Sequence, residues 1–228
     1  MLHDACHAIA MTGLFRIDCA QPWLVARFPK AWRMLSWSMN RPGLVRADRV
    51  AWLEVKDADL PLGLDPHALL RTRLAAAGLD EAVAMMTARD IRRHRDAETR
   101  DGDAVAHALA TLGLTNGVGF DPAGRVVPRR TQTGPGTINI LAAVTRPLSE
   151  PALLEALAIV ATARSAALLA QAGSIAATGT DCIVVACPDD EDGERYAGLH
   201  TAAGRAIAGA VYAATRAARA DWESEFTT

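Results

Sequence analysis

From Thr137 onward the chain alternates apolar strand-like runs with long capped helices, and that alternation limits the folds open to it. Thr137 to Thr145 has strand character. Ser149, with Glu150 and Pro151 in the first turn, opens a helix expected to close at Gly173. Cys182 to Ala186 is a short continuous apolar run, which fits a strand buried on both faces. A last helix spans about Thr201 to Glu225, where Ala203, Ala206, Ala210 and Ala214 form a small-residue face. That face suits a core and a dimer seam equally, so a homodimer stays open. Together these runs predict an α/β or α+β fold, with a mixed β-sheet core flanked by helices in a layered sandwich.

The N-terminal half is less regular. Trp23 to Phe28 and Trp32 to Trp37 read as two strands separated by Pro29 and Lys30. Leu44 to Arg46 and Val50 to Val55 read as a hairpin around Ala47, Asp48 and Arg49. Asp65 before Pro66 predicts a helix to Ala77, closed by Gly78. Val83 to Thr87 and Ala104 to Thr115 are further strand candidates. The stretch from Gly117 to Gly136 reads as one long Gly-, Pro- and Arg-rich loop of the kind that carries function. Residues 1–22 lack a clean period and are expected to be an extension to a single domain over 23–228.

Half of the 228 residues are hydrophobic and 22% are charged, a balance that excludes wholesale disorder. A net charge of −2 excludes a broad basic surface for nucleic acid or anionic lipid. Arg89, Arg92, Arg93, Arg95 and Arg100 interleave with Asp90, Asp96, Glu98 and Asp101, which reads as a solvated segment of mixed charge. The longest apolar stretch, about residues 152–172, contains Glu155, Arg164 and Gln171, so a buried helix is expected and no membrane span. The start of the chain carries His3, Asp4 and His7 and does not resemble a signal peptide. No two of the four cysteines have CxxC spacing, and a cytoplasmic protein is expected. His3, Cys6 and His7 have ligand-like spacing, but a solvated terminus is the plainer reading. No Walker loop and no Gly-x-Ser-x-Gly elbow is present.

Five short motifs then appear in order. They are Met86-Thr87-Ala88, Leu112-Gly113-Leu114-Thr115-Asn116, Pro135-Gly136-Thr137-Ile138-Asn139-Ile140, Thr178-Gly179-Thr180-Asp181 running into Cys182-Ile183-Val184-Val185, and Tyr196-Ala197-Gly198-Leu199-His200-Thr201. From about Arg33 to Thr215 this set resembles the adenosylcobinamide amidohydrolase family. The chain departs from the family pattern at Asn40 to Gly43, at Ala163-Arg164-Ser165 and at Ile175 to Ala177. The resemblance implies hydrolysis of the amide that joins adenosylcobyric acid to aminopropanol. It implies no cofactor, the corrinoid being the substrate and the partner.

Amide hydrolysis needs an attacking group, a base and donors for the developing oxyanion. With the resemblance, Asp181, His200 and Thr180 are the catalytic candidates. Asp181 would act as a base or orient a histidine; otherwise it is a turn carboxylate. His200, at a helix start, is placed to be a neutral acceptor; alone it would be a cap or a surface residue. Thr137, Thr178 and Thr180 are hydroxyls able to attack or to bind substrate, although threonine nucleophiles usually need a free N-terminal amine or an adjacent base. Asn116 and Asn139 are amide donors or turn residues, and Gly136 and Gly179 offer backbone amides. Thr87 and Tyr196 complete the expected binding set. Two alternatives stay open: a corrinoid-binding protein without chemistry, and a different, self-processing amidase with an N-terminal threonine.

Overall fold

Alternation along the strands sorts the apolar side chains into three cores, and the cores define the layers. The structure is a computed structural model and describes residues 8–11, 13–128, 136–170, 175–190 and 192–225. Its elements are β1 (Ala8–Met11), β2 (Arg16–Ala20), β3 (Trp23–Ser36), β4 (Gly43–Glu54), α1 (Pro66–Ala77), β5 (Val83–Thr87), β6 (Arg95–Asp101) and β7 (Ala104–Leu112). They continue as β8 (Gly117–Phe120), β9 (Val126–Pro128), β10 (Ile138–Val144), α2 (Glu150–Leu169), β11 (Ala177–Thr178), β12 (Cys182–Cys187) and α3 (Ala202–Ser224).

Nine strands form one sheet in the order β1-β2-β3-β12-β10-β7-β6, with β4 paired along β3 and β5 paired to β4. The sheet is mixed: β10–β12 and β4–β5 are parallel, and the other pairs are antiparallel. On β10, Ile138, Ile140, Ala142 and Val144 face α2 and α3, while Leu141 and Ala143 face a second core. Val50 and Trp52 of β4 and Val83 and Met85 of β5 close that second core from the other side. The opposite faces of β4 and β5, through Ala51, Leu53 and Ala84, pack on Leu70 and Leu74 of α1. Helices, sheet, sheet and helix are thus stacked in four layers, the mixed-sheet sandwich flanked by helices expected from the sequence.

Several local expectations are corrected. The two strands around Pro29 are one, β3, whose register with β4 shifts between Arg27 and Trp32. Proline has no N–H to give a ladder, so the strand bulges there and bends instead of ending. The hairpin expected around Asp48 is the single strand β4, and the actual turn lies at residues 40–43, where Gly43 has φ +87°. Residues 1–22 are not an extension throughout, since β1 and β2 join the sheet and Phe15 and Ile17 are buried in the central core. Inside the expected long loop, β8 pairs with β9 and with β11 as a small separate sheet.

The caps follow the sequence. Asp65 accepts from the His67 N–H (2.9 Å), and Gly78 ends α1 in the left-handed region. α2 ends at Leu169, and Gly173 lies outside the described residues. By length and hydropathy α2 could cross a membrane. In this fold it packs on α3, and Glu155 and Arg164 turn to partners in the protein. Ala203, Ala206, Ala210 and Ala214 are all buried against the sheet and α2, so that face is core and not a seam. The arginine-rich segment also differs from expectation. Arg89, Arg93 and Arg95 pair with Asp221 and Glu225 at the end of α3, and Arg89 is largely buried.

Thr201 caps α3 by accepting from the Gly204 N–H (3.0 Å). Replacing it with alanine is expected to lower stability by about 1 kcal/mol in urea unfolding and to leave turnover unchanged.

Candidate active site

The strands set the position of a cavity of about 500 Å³. The C-terminal ends of β4 and β5 and the N-terminal ends of β10 and β12 meet at one end of the central core, where the two halves of the sheet separate. Asn139 holds them together, since its Nδ2 donates to the Met86 carbonyl (2.7 Å) while the residue itself is buried. Trp37, Met39, Leu60, Met85 and Met86 give the cavity apolar walls; Thr87, Gly136, Thr137, Asn139, Gly179, Thr180 and Asp181 give it a polar end.

Asp181 is the most heavily bonded group there. Its Oδ1 accepts from the Ile138 N–H (3.1 Å) and from the Thr178 hydroxyl. Its Oδ2 accepts from Arg164 Nη1 (2.7 Å) and the Thr178 N–H (3.1 Å). With its side chain 7% exposed and two donors on each oxygen, the carboxylate is committed to holding the start of β10, the 178–181 turn and α2 together. The turn-carboxylate role is the one this geometry gives it. Trp37 Nε1 donates to the Asp181 carbonyl (2.8 Å), which leaves the indole ring half exposed beside the cavity.

The hydroxyls are not equivalent. That of Thr178 is tied to Asp181, and Thr178 does not line the cavity. Thr180 lies in an exposed turn, and its hydroxyl donates to the Gly136 carbonyl (3.2 Å). Thr137, the residue just before β10, lines the cavity. Its hydroxyl donates to the Thr180 carbonyl (2.7 Å), with Asn139 Oδ1 at 3.4 Å. Cys182 also lines the cavity, but burial and the neighbouring Asp181 charge push its thiol up to about 12, so it stays protonated and a poor nucleophile.

Gly136 is packed so closely that a Cβ would lie 2.6 Å from Thr115 Oγ1, 2.8 Å from Asn116 Oδ1 and 2.8 Å from the Gly113 carbonyl. Asn116 therefore sits behind the cavity wall at Gly136 instead of lining it. Gly179 has open space at its Cβ position, so the turn presents bare backbone.

His200 and Tyr196 are not brought to this site. Asp181 precedes β12 and both follow it; six residues of strand, at about 3.3 Å each, carry the chain to the far end of the sheet. There the two rings lie 6.0 Å apart and exposed, beside Gly198 and Glu155 of α2. The expected Asp181–His200 pair is not formed. His200→Ala is expected to leave turnover within about twofold of the parent, as for other surface substitutions, in a steady-state assay.

Two members of the cluster were not singled out as site residues from the sequence. Arg164 stood as a charge within the longest apolar stretch and as a departure from the family pattern, and Trp37 only as the end of a strand. A cation inside an otherwise apolar helix is the signal that points to Arg164. Among the described residues no three His, Cys, Asp or Glu side chains gather as a metal set, and His3, Cys6 and His7 lie outside those residues.

The chain's relatives agree with its motifs. A family model described as adenosylcobinamide amidohydrolase matches residues 8–226. The adenosylcobinamide amidohydrolase of Halobacterium salinarum is 35% identical over 188 residues, 81% of this chain and 79% of that protein. Among solved structures, a beta-aminopeptidase from a Burkholderia species shares the fold, with a TM-score of 0.50 and 15% identity over 95% of this chain and 83% of that one. The chain belongs to the adenosylcobinamide amidohydrolase family.

Proposed function

We propose that the protein hydrolyses the amide of adenosylcobinamide, giving adenosylcobyric acid and aminopropanol, in the cavity at the end of the central core. The observation that carries this reading is the meeting of motifs. Segments 86–88, 136–139 and 179–182, far apart in sequence, line one cavity, and segment 112–116 packs behind it at Gly136.

Thr137 is the attacking group. Its hydroxyl lines the cavity, and the Gly113 N–H bond to its carbonyl and the start of β10 at Ile138 hold it in place, as a reacting group needs. Bare backbone at Gly179 and Thr180 supplies N–H donors for the oxyanion. Asp181, through Arg164, Ile138 and Thr178, keeps that turn against Thr137 and is a positioning residue. The cavity takes the amide arm, while the half-exposed indole of Trp37 and the side chains of Met39 and Leu60 receive the edge of the macrocycle.

No cofactor enters this scheme. Cytoplasmic placement belongs to the same proposal, supported by the free thiols Cys19, Cys182 and Cys187. The test is incubation of metal-free protein with adenosylcobinamide and mass spectrometry of the products. Both products are expected; corrinoid recovered unchanged, while an authentic family member turns over alongside, would sink the assignment in favour of binding alone.

A further inference from the structure

The Thr137 hydroxyl lacks what a nucleophile needs. Its two hydrogen-bond partners are the Thr180 carbonyl and the Asn139 side-chain oxygen, and neither is a base. None of the ionisable residues lining the cavity hydrogen-bonds to that hydroxyl. Asp181 has two donors on each oxygen, Cys182 holds its proton, Lys56 pairs with Glu54, and Asp57 opens a short turn after β4. A threonine without a neighbouring base is activated by one other group, its own free α-amine. Inside the chain that amine is locked in the Gly136–Thr137 peptide.

We propose that the chain cuts its own backbone between Gly136 and Thr137, and that the α-amine released on Thr137 is the base for hydrolysis. The proposal rests on the reading of Thr137 as nucleophile. Three observations favour that bond. First, the Gly136 carbonyl accepts from the Thr180 hydroxyl (3.2 Å), a donor placed where an oxyanion would develop. Second, Thr137 is the residue that follows this carbonyl, so its hydroxyl attacks intramolecularly. Third, Gly136 is gripped by Gly113, Thr115 and Asn116, and the Thr115 hydroxyl is buried with no hydrogen-bond partner among the described residues. Unpaired buried polar groups call for an explanation. A carboxylate released at Gly136 gives the Thr115 hydroxyl an acceptor.

The chemistry balances with one water. Thr137 Oγ1 forms a bond to the Gly136 carbonyl carbon, the bond from that carbon to the Thr137 nitrogen breaks, and the hydroxyl proton passes to the nitrogen. Water then hydrolyses the ester, leaving a Gly136 carboxylate and a Thr137 with free amine and hydroxyl. Thr137 stays in place, because the Gly113 N–H still donates to its carbonyl (3.0 Å) and the Ile138 N–H to Asp181.

Intact mass of the folded full-length protein tests this. Two fragments, 1–136 and 137–228, are expected, together heavier than the chain by one water, with Thr-Ile-Asn at the new N-terminus. Thr137→Ser is expected to be cut and Thr137→Ala, checked for folding by near-UV circular dichroism, to stay whole. Turnover should rise in proportion to the fraction cut. A folded parent chain that stays whole overturns the proposal, as does cutting in Thr137→Ala or turnover independent of cutting. A whole chain whose activity still requires Thr137 leaves the nucleophile reading standing. A cut parent chain that turns over no faster than the whole Thr137→Ala protein removes that reading instead.

Discussion

Thr137→Ala is expected to reduce turnover of adenosylcobinamide by at least about 10³-fold, because loss of the attacking group removes a whole route to the product. The effect should fall on kcat, with KM changed little. Thr137 carries a small part of the binding surface, while the apolar wall of Trp37, Met39 and Met86 stays intact. Thr137→Ser keeps the hydroxyl and should retain most of the activity. Stability should change by less than about 1.5 kcal/mol in either variant, since alanine removes one neutral hydrogen bond, to the carbonyl of the exposed Thr180, and serine keeps it. Steady-state kinetics and urea unfolding of the same preparations separate the two effects. A Thr137→Ala protein with parental kcat would move the attack to another hydroxyl or to water.

Asp181→Asn should act in the opposite way, through stability first. The side chains of Asp181 and Arg164 are 7% and 11% exposed, so neutralising the carboxylate leaves a guanidinium buried without its counter-charge. Breaking a buried pair from one side costs about 3–5 kcal/mol. The Asn amide also presents N–H groups where Ile138 and Thr178 now donate, which sets donor against donor at the start of β10. Urea unfolding should show the loss directly. Any fall in turnover should be partly recovered by the double variant Asp181→Asn, Arg164→Met, in which the stranded charge is gone. A general base would give no such recovery, so the double variant separates positioning from proton transfer.

Much of the layered architecture was legible in the residues. Asp65, Ser149 and Thr201 mark helix starts by local chemistry, and the runs at Val83–Thr87 and Cys182–Cys187 are apolar strands wherever they pair. Long-range pairing was not legible. Pro29 reads as a break because sequence alone does not show that β4 runs past it on the other side, absorbing the extra residues as a bulge. Arg16 to Ala20 reads as polar extension because alternation over so short a strand, with Arg16 and Asp18 on its outer face, resembles no period at all.

The site divided along the same line. Motifs at 136–139 and 178–181 could be taken as neighbours, since β10 and β12 flank one crossover helix. That His200 follows β12 at its far end is a consequence of strand direction, which no local motif encodes. Arg164 was visible as an isolated cation in an apolar helix, but its partner was not. The Asp181 carboxylate looked available from sequence because its four donors come from three separate segments, at 138, 164 and 178.

The most direct measurement is to quench the enzyme with acid during turnover of adenosylcobinamide and map its peptides by mass. If the chain hydrolyses the amide in this cavity with Thr137 as nucleophile, an adenosylcobyric ester is expected on the peptide containing Thr137, absent when Thr137 is alanine. Steady turnover with no corrinoid on that peptide, or with the label on a residue outside the cavity, would contradict it.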